Sequence, residues 1–238
     1  MKRKFLRYMV AVVALVLLLG ALVFTGILRP NALFARRYPV RGVDVSEYQG
    51  EIDWAVLSEG QDFAFVKATE GSGYKDPFFS GNFSGASAAG LATGAYHFFS
   101  FESPGETQAQ NFIETVGDLS GKLPPVVDVE LYGAFKATPP SLDDVRAGLD
   151  PLLRALEARY GAKPILYATW ASWRLYLRDI YQDYPLWIRE VYLVPGMNFL
   201  FWQHSDKGLL GGYGGPEKHI DLNVFHGSRE ELAALTIP

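Results

Sequence analysis

From Arg41 onward, short apolar runs alternate with helical stretches, and this alternation leaves few folds open to the chain. The runs at 42–45, 62–68, 93–98, 125–129 and 164–168 are rich in β-branched and aromatic residues, as strands are. Helical stretches follow them at 52–57, 82–89 (closed by Gly90), 106–116, 141–160 and 172–181. The fourth of these opens on Ser141 with Asp144 three residues later, a capping pattern, and its Val145, Leu149, Leu152, Leu156 and Tyr160 recur at helical spacing. Strands that alternate with helices form a parallel sheet. After Tyr181 three runs, 186–188, 199–203 and 221–225, follow with no helix between them. Five strand-helix units plus three bare strands predict an irregular, TIM-like β/α barrel of eight strands over residues 41–238.

The fourth run carries the chemistry. Pro124 and Pro125 open it, Val126 and Val127 follow, and Asp128, Val129 and Glu130 close it. A bounded apolar run of this kind reads as a strand buried on both faces. Side chains two apart on a strand share a face, with Cα atoms roughly 6.6 Å apart. Asp128 and Glu130 therefore stand side by side at the C-terminal end of a barrel strand, where catalytic groups of such barrels sit. Neighbouring carboxylates repel, so one keeps its proton to higher pH, and a proton donor beside an ionised carboxylate is what glycosidic cleavage needs.

Charge divides the chain. Residues 1–41 hold eight basic side chains and no acidic one, whereas the rest holds 14 basic against 26 acidic. A domain this acidic is a poor nucleic-acid binder, and no nucleic-acid partner is expected. The absence of cysteine excludes disulfides, thiolate metal sites and thiol nucleophiles. Residues 8–28 carry no charge and follow Lys2, Arg3, Lys4 and Arg7. As a helix this stretch is about 31 Å long, enough to span a bilayer, and the basic start favours an N-terminus inside. The expected organisation is a short basic cytoplasmic segment (1–7), a transmembrane signal-anchor (8–28), a polar tether (29–40) and the barrel on the extracytoplasmic side. A cleaved signal peptide is the rival reading and would make the domain secreted.

In residues 42–227 the fragments Gly42-Val43-Asp44-Val45-Ser46, Ile52-Asp53-Trp54, Phe65-Val66-Lys67-Ala68-Thr69-Glu70-Gly71, Gly94-Ala95-Tyr96-His97-Phe98, 125–130, Ile165-Leu166-Tyr167, Leu186-Trp187-Ile188, Trp202-Gln203 and Ile220-Asp221-Leu222-Asn223 occur in that order. Together they resemble glycoside hydrolase family 25, the muramidases that cut peptidoglycan. The resemblance implies a (β/α)5β3 barrel, with Glu130 as the acid that protonates the leaving oxygen. Asp128 matches the carboxylate that assists the substrate's N-acetyl group or stabilises positive charge at the anomeric carbon, and Asp44 and Asp221 match two further acidic site residues. Tyr96, Tyr167, Trp187 and Trp202 match aromatic positions of the glycan groove. The family's outcome is retention through substrate assistance. The implied partner is the peptidoglycan glycan strand, met by a monomer with no cofactor and no metal. The chain departs from the pattern at Arg189-Glu190-Val191-Tyr192, where a small residue and then an aromatic one are expected, and in 132–140, just after the acid.

Two other readings stay open at this stage. One is a non-catalytic glycan-binding module, which loss of the acid would mark; the other is a hydrolase of another amino-sugar polymer such as chitin. Lys67 with Glu70 reads as a structural ion pair. Strand alternation points His97 away from Tyr96, as a core histidine. The glycines of 211–215 read as a flexible turn.

Overall fold

The computed structural model describes residues 2–25 and 27–238; Met1, in the short basic segment, and Gly26, inside the expected span, lie outside the described residues. Among the described residues nine strands form: β1 (Val40–Val45), β2 (Phe63–Glu70), β3 (Tyr74–Lys75), β4 (Ala92–Phe98), β5 (Val126–Val129), β6 (Ile165–Thr169), β7 (Leu186–Arg189), β8 (Phe201–Gly208) and β9 (Ile220–Phe225). Eight close a barrel in the order β1-β2-β4-β5-β6-β7-β8-β9, and the two-residue β3 adds a hairpin to β2. Neighbours are parallel from β1 through β8, while β9 runs antiparallel to both β8 and β1. The N-terminal end of β9 therefore meets the C-terminal ends of the other strands.

Period-two alternation divides the core into two layers. Phe63, Phe65, Val126, Ile165, Trp187, Phe201 and Phe225 fill the barrel interior. Their strand neighbours Ala64, Val66, Val127, Val129, Leu166 and Ala168 face outward onto helices. The helices are α1 (Lys2–Phe24), α2 (Pro30–Ala35), α3 (Trp54–Leu57), α4 (Phe79–Ala88), α5 (Gly105–Val116), α6 (Leu142–Tyr160), α7 (Trp170–Ser172) and α8 (Arg229–Ala234). Ser141 caps α6, its Oγ accepting the Asp144 N–H at 3.2 Å, and Gly161 ends the helix in the left-handed region. The apolar stripe Val145, Leu149, Leu152 and Leu156 is buried in the outer layer. At the crossing of α5 and α6 a Cβ on Gly105 would stand 1.9 Å from the Gly148 carbonyl oxygen, so only glycine fits there.

Several segments differ from the sequence expectation. Residues 29–40 are not a free tether. Pro30 starts α2, Asn31 and Ala35 are buried, and the Asn31 side-chain amide donates to the His204 carbonyl of β8. Ala35 completes an outer cluster with Ile188, Phe199, Trp202 and Val224, and burial of that apolar contact docks the segment. Residues 172–181 are not one helix: α7 passes at once into a wide π-type turn, Trp173–Leu177. The glycine-rich 211–215 is packed rather than loose, because Gly212 accepts the Asp53 N–H at 2.7 Å and Gly215 donates to the Gln49 carbonyl at 3.0 Å. A C-terminal helix, α8, forms behind a capping box made by Ser228 and Glu231.

Helix α1 is apolar enough over Arg3–Phe24 to cross a membrane by length and composition, and none of it is buried against the protein.

Candidate active site

The inward phase of each strand decides what reaches the barrel mouth. Asp44, Lys67, Tyr96, Asp128 and Tyr167 follow interior residues by two or four positions, so they share the interior face with Trp187. Register does the rest. Asp44 pairs with Asp221 across β1 and β9, and Asp128 pairs with Tyr167, which pairs with Trp187. Ser46, Tyr48, Glu70, Phe98, Glu130 and Tyr132 complete the walls of a cleft of about 380 Å³. Seven of the eight residues expected in the site line this cleft: Asp44, Tyr96, Asp128, Glu130, Tyr167, Trp187 and Asp221.

Trp202 does not. It is the neighbour of the interior residue Phe201, so alternation turns its ring outward. There it is fully buried against Phe199 and Tyr38, and its Nε1 donates to the Glu190 carbonyl at 2.8 Å. A groove position for Trp202 is thereby corrected to a packing position on the outer layer.

Beneath the cleft lies a polar network that the sequence reading did not identify. The Trp187 Nε1 donates to the Asn223 side-chain oxygen at 2.8 Å, and Asn223 Nδ2 donates to Asp44 Oδ1 at 2.6 Å. Tyr167 Oη donates to Gln203 Oε1 at 2.7 Å. Asn223 and Gln203 sat inside matching fragments, and their signal was the inward phase of β8 and β9. Trp187 also stacks on Phe65, with ring centroids 4.6 Å apart, so it forms the floor of the cleft. Lys67 and Glu70 make an ion pair of 2.7 Å at the cleft wall. His97 points away from the cleft and is buried between Thr69 and Gln108, at 2.7 and 3.0 Å. Burial holds that ring neutral, its pKa lowered to about 4.

Electrostatics in the cleft favour protonated carboxyls. Burial raises the pKa of Asp128 well above the usual carboxylate range, and the nearby charge of Glu130 adds to this. Burial likewise raises Glu130, opposed by the positive charge of Arg189. Asp44 is raised to about 6 by burial, against the Asn223 hydrogen bond, and Asp221 to about 9 by burial and the charge of Asp44. Asp128 Oδ1 is buried with no hydrogen-bond partner among the described residues. The arrangement offers a buried proton donor, an acceptor oxygen free to take a substrate N–H, and a pocket able to stabilise positive charge.

The shifted carboxyls set a stability slope. An unfolded Asp221 releases its proton near pH 4, whereas the folded one holds it to about pH 9. Between those values the folded state binds more protons, so this group makes stability fall as pH rises. Asp221→Asn removes the slope. The expected result at pH 8 is a melting temperature higher by about 2–4 °C per kcal/mol recovered, shrinking toward pH 4. A variant whose gain does not vanish at low pH would place the effect outside the titration of Asp221.

A closed β/α barrel with carboxylates gathered at the strand ends is the architecture of a barrel glycosidase. The comparisons agree. The family model for glycosyl hydrolases family 25 matches residues 43–213. The solved structure of a family 25 glycosyl hydrolase from Bacillus anthracis superposes with a TM-score of 0.79 at 47% identity, covering 84% of this chain and 94% of that one. Lysozyme M1 of Streptomyces globisporus is 34% identical over 217 residues, 82% of this chain and 71% of the relative. The protein YegX of Escherichia coli K12 is 38% identical over 220 residues, 87% of this chain and 78% of the relative. The chain belongs to glycoside hydrolase family 25, and it is a glycoside hydrolase.

Proposed function

We propose that the protein is a peptidoglycan muramidase that hydrolyses the β-1,4 bond between N-acetylmuramic acid and N-acetylglucosamine. The observation that carries this reading is the pairing of Asp128 and Glu130 on one face at the end of β5, in a cleft closed on its other side by Asp44 and Asp221. Two carboxyls in such a shared, buried setting do not both ionise at neutral pH. In this reading the retained proton resides on Glu130, which gives it to the leaving glycosidic oxygen. Asp128 takes the acetamido N–H on its otherwise unpartnered Oδ1, steering the substrate's carbonyl oxygen toward the anomeric carbon. Asp44, held by Asn223, favours the positive charge that develops there, and Asp221 lies beside it across β1 and β9. Tyr96, Tyr167 and Trp187 shape the sugar-binding surface. Similarity to Lysozyme M1 supports the muramidase assignment.

Helix α1 serves, in the same reading, as a membrane anchor with the barrel on the extracytoplasmic side, where its substrate lies.

Digestion of purified peptidoglycan by the full chain in detergent micelles tests the activity. The released ends are reduced with borohydride and identified by mass spectrometry. Reduced muramic acid ends are expected. Reduced glucosamine ends would replace the muramidase with a different glycosidase, and peptidoglycan bound but uncut would favour a glycan-binding module.

A further inference from the structure

Glu130 borders a second cavity, of about 510 Å³, which shares no other lining residue with the cleft. Its walls are Glu130 and Leu131 after β5, Lys136 from the turn Gly133–Lys136, Thr169 at the end of β6, Ala171 in α7, and Arg189 at the end of β7. It therefore extends the barrel mouth past the acid, toward the ends of β6 and β7. Both sequence departures from the family pattern, 132–140 and 189–192, supply one of its cations.

Apart from Glu130, its charged residues are Lys136 and Arg189, both basic. Arg189 Nη2 donates to Asp206 Oδ2 at 2.8 Å, and Arg29 reaches the other oxygen of the same carboxylate at 3.3 Å. Two guanidinium groups thus share one carboxylate, which leaves the trio net positive. Lys136 is exposed and, among the described residues, makes no ion pair. A cationic recess beside a carboxylate cleft is the opposite of what a neutral sugar polymer requires. A muramyl unit, however, carries an anion: its lactyl carboxylate, free or extended by an acidic stem peptide.

We propose that this recess is a carboxylate subsite, in which Lys136 and Arg189 hold the anionic substituent of a muramyl unit beside the bond that Glu130 protonates. The proposal rests on the muramidase reading and names the feature by which the site selects its substrate. Arg189 offers a planar fork suited to a carboxylate, and Lys136 offers a mobile point charge. Asp221 keeps its proton to about pH 9, which reduces the negative charge that the neighbouring cleft sets against this attraction. Chitin-type polymers lack the anion and gain nothing from the recess.

The test uses the full chain in detergent micelles and two muramyl glycans, one bearing stem peptides and one stripped of them by an amidase. Each is supplied native and with its carboxylates blocked as methylamides. Wild type is expected to cleave the native form with a kcat/KM about tenfold above the blocked form, the factor that ~1.4 kcal/mol sets. The difference should lie in KM. In Lys136→Gln the native-to-blocked ratio should fall toward one, and Lys136→Arg should restore it. A change in the acidity of Glu130 alone would move both forms equally and leave the ratio intact. A preference within the stripped pair identifies the lactyl carboxylate as the ligand; a preference confined to the stem-bearing pair identifies the peptide. Equal rates on native and blocked strands, or an unchanged ratio in Lys136→Gln, would overturn the subsite. If no strand is cut, the muramidase reading fails separately. The subsite is then decided by calorimetry on the same four glycans, where equal affinities for native and blocked forms would sink it.

Discussion

Glu130→Gln is expected to lower the turnover of peptidoglycan at least about a hundredfold, the usual contribution of a positioned general acid. Glutamine keeps the shape of the side chain and removes the proton that the leaving oxygen needs. The loss should fall on kcat and kcat/KM together, because proton transfer is realised only in the transition state. The fold should not suffer. Burial raises the Glu130 pKa, so the ionised carboxylate is a burden on the native state above the ordinary range, and a neutral amide lifts it. Rates on peptidoglycan beside thermal melts of both proteins decide the matter. Turnover within tenfold of wild type would remove Glu130 from the role of acid, and a fallen melting temperature would make lost activity uninformative.

Trp187→Ala should be among the most damaging single changes to stability. Its ring is 2% exposed, stacks on Phe65 at 4.6 Å and meets Tyr167 edge-on at 4.7 Å. Truncation empties the centre of the barrel, where the surrounding strands are held by their ladders and relax little. Removal of a buried tryptophan costs about 3–5 kcal/mol. The Nε1 donor to Asn223 disappears as well, which frees the side chain that positions Asp44. A fall in melting temperature of roughly 6–20 °C follows for a chain of this size. Trp187→Phe keeps most of the ring but not the donor, and it should recover most of the stability while leaving Asp44 less well held. Equal melts for Trp187→Ala and wild type would show that the barrel centre is far more plastic than its packing implies.

Much of the scaffold was legible because strand and helix periodicities are local. The β5 run declared its burial by being apolar between its prolines and its carboxylates, and the i, i+2 spacing put Asp128 and Glu130 on one face whatever surrounded them. The stripe on α6 and its Ser141 cap needed only a few neighbouring residues. Closure of an eight-strand barrel makes its first and last strands neighbours, as the Asp44–Asp221 register shows.

Other features depend on phase and distance, which a sequence does not carry by itself. Trp202 looked like a groove residue by its place in a fragment, yet the seating of Phe201 inside the barrel turned it outward. Helix α2 looked like a polar linker because its stability comes from burying Ala35 and Asn31 against β8, about 170 residues away. The network from Trp187 through Asn223 to Asp44 joins three strands, and the pairing of Arg189 and Arg29 on Asp206 joins β7, β8 and the segment before α2. The sequence by itself determined the barrel, its strand count and the acidic pair on β5, since each follows from short-range pattern. The tertiary structure alone decided which face of each strand points inward, how far burial shifts each carboxyl, and which cations stand beside the acid, because those properties arise only when distant segments exclude water together.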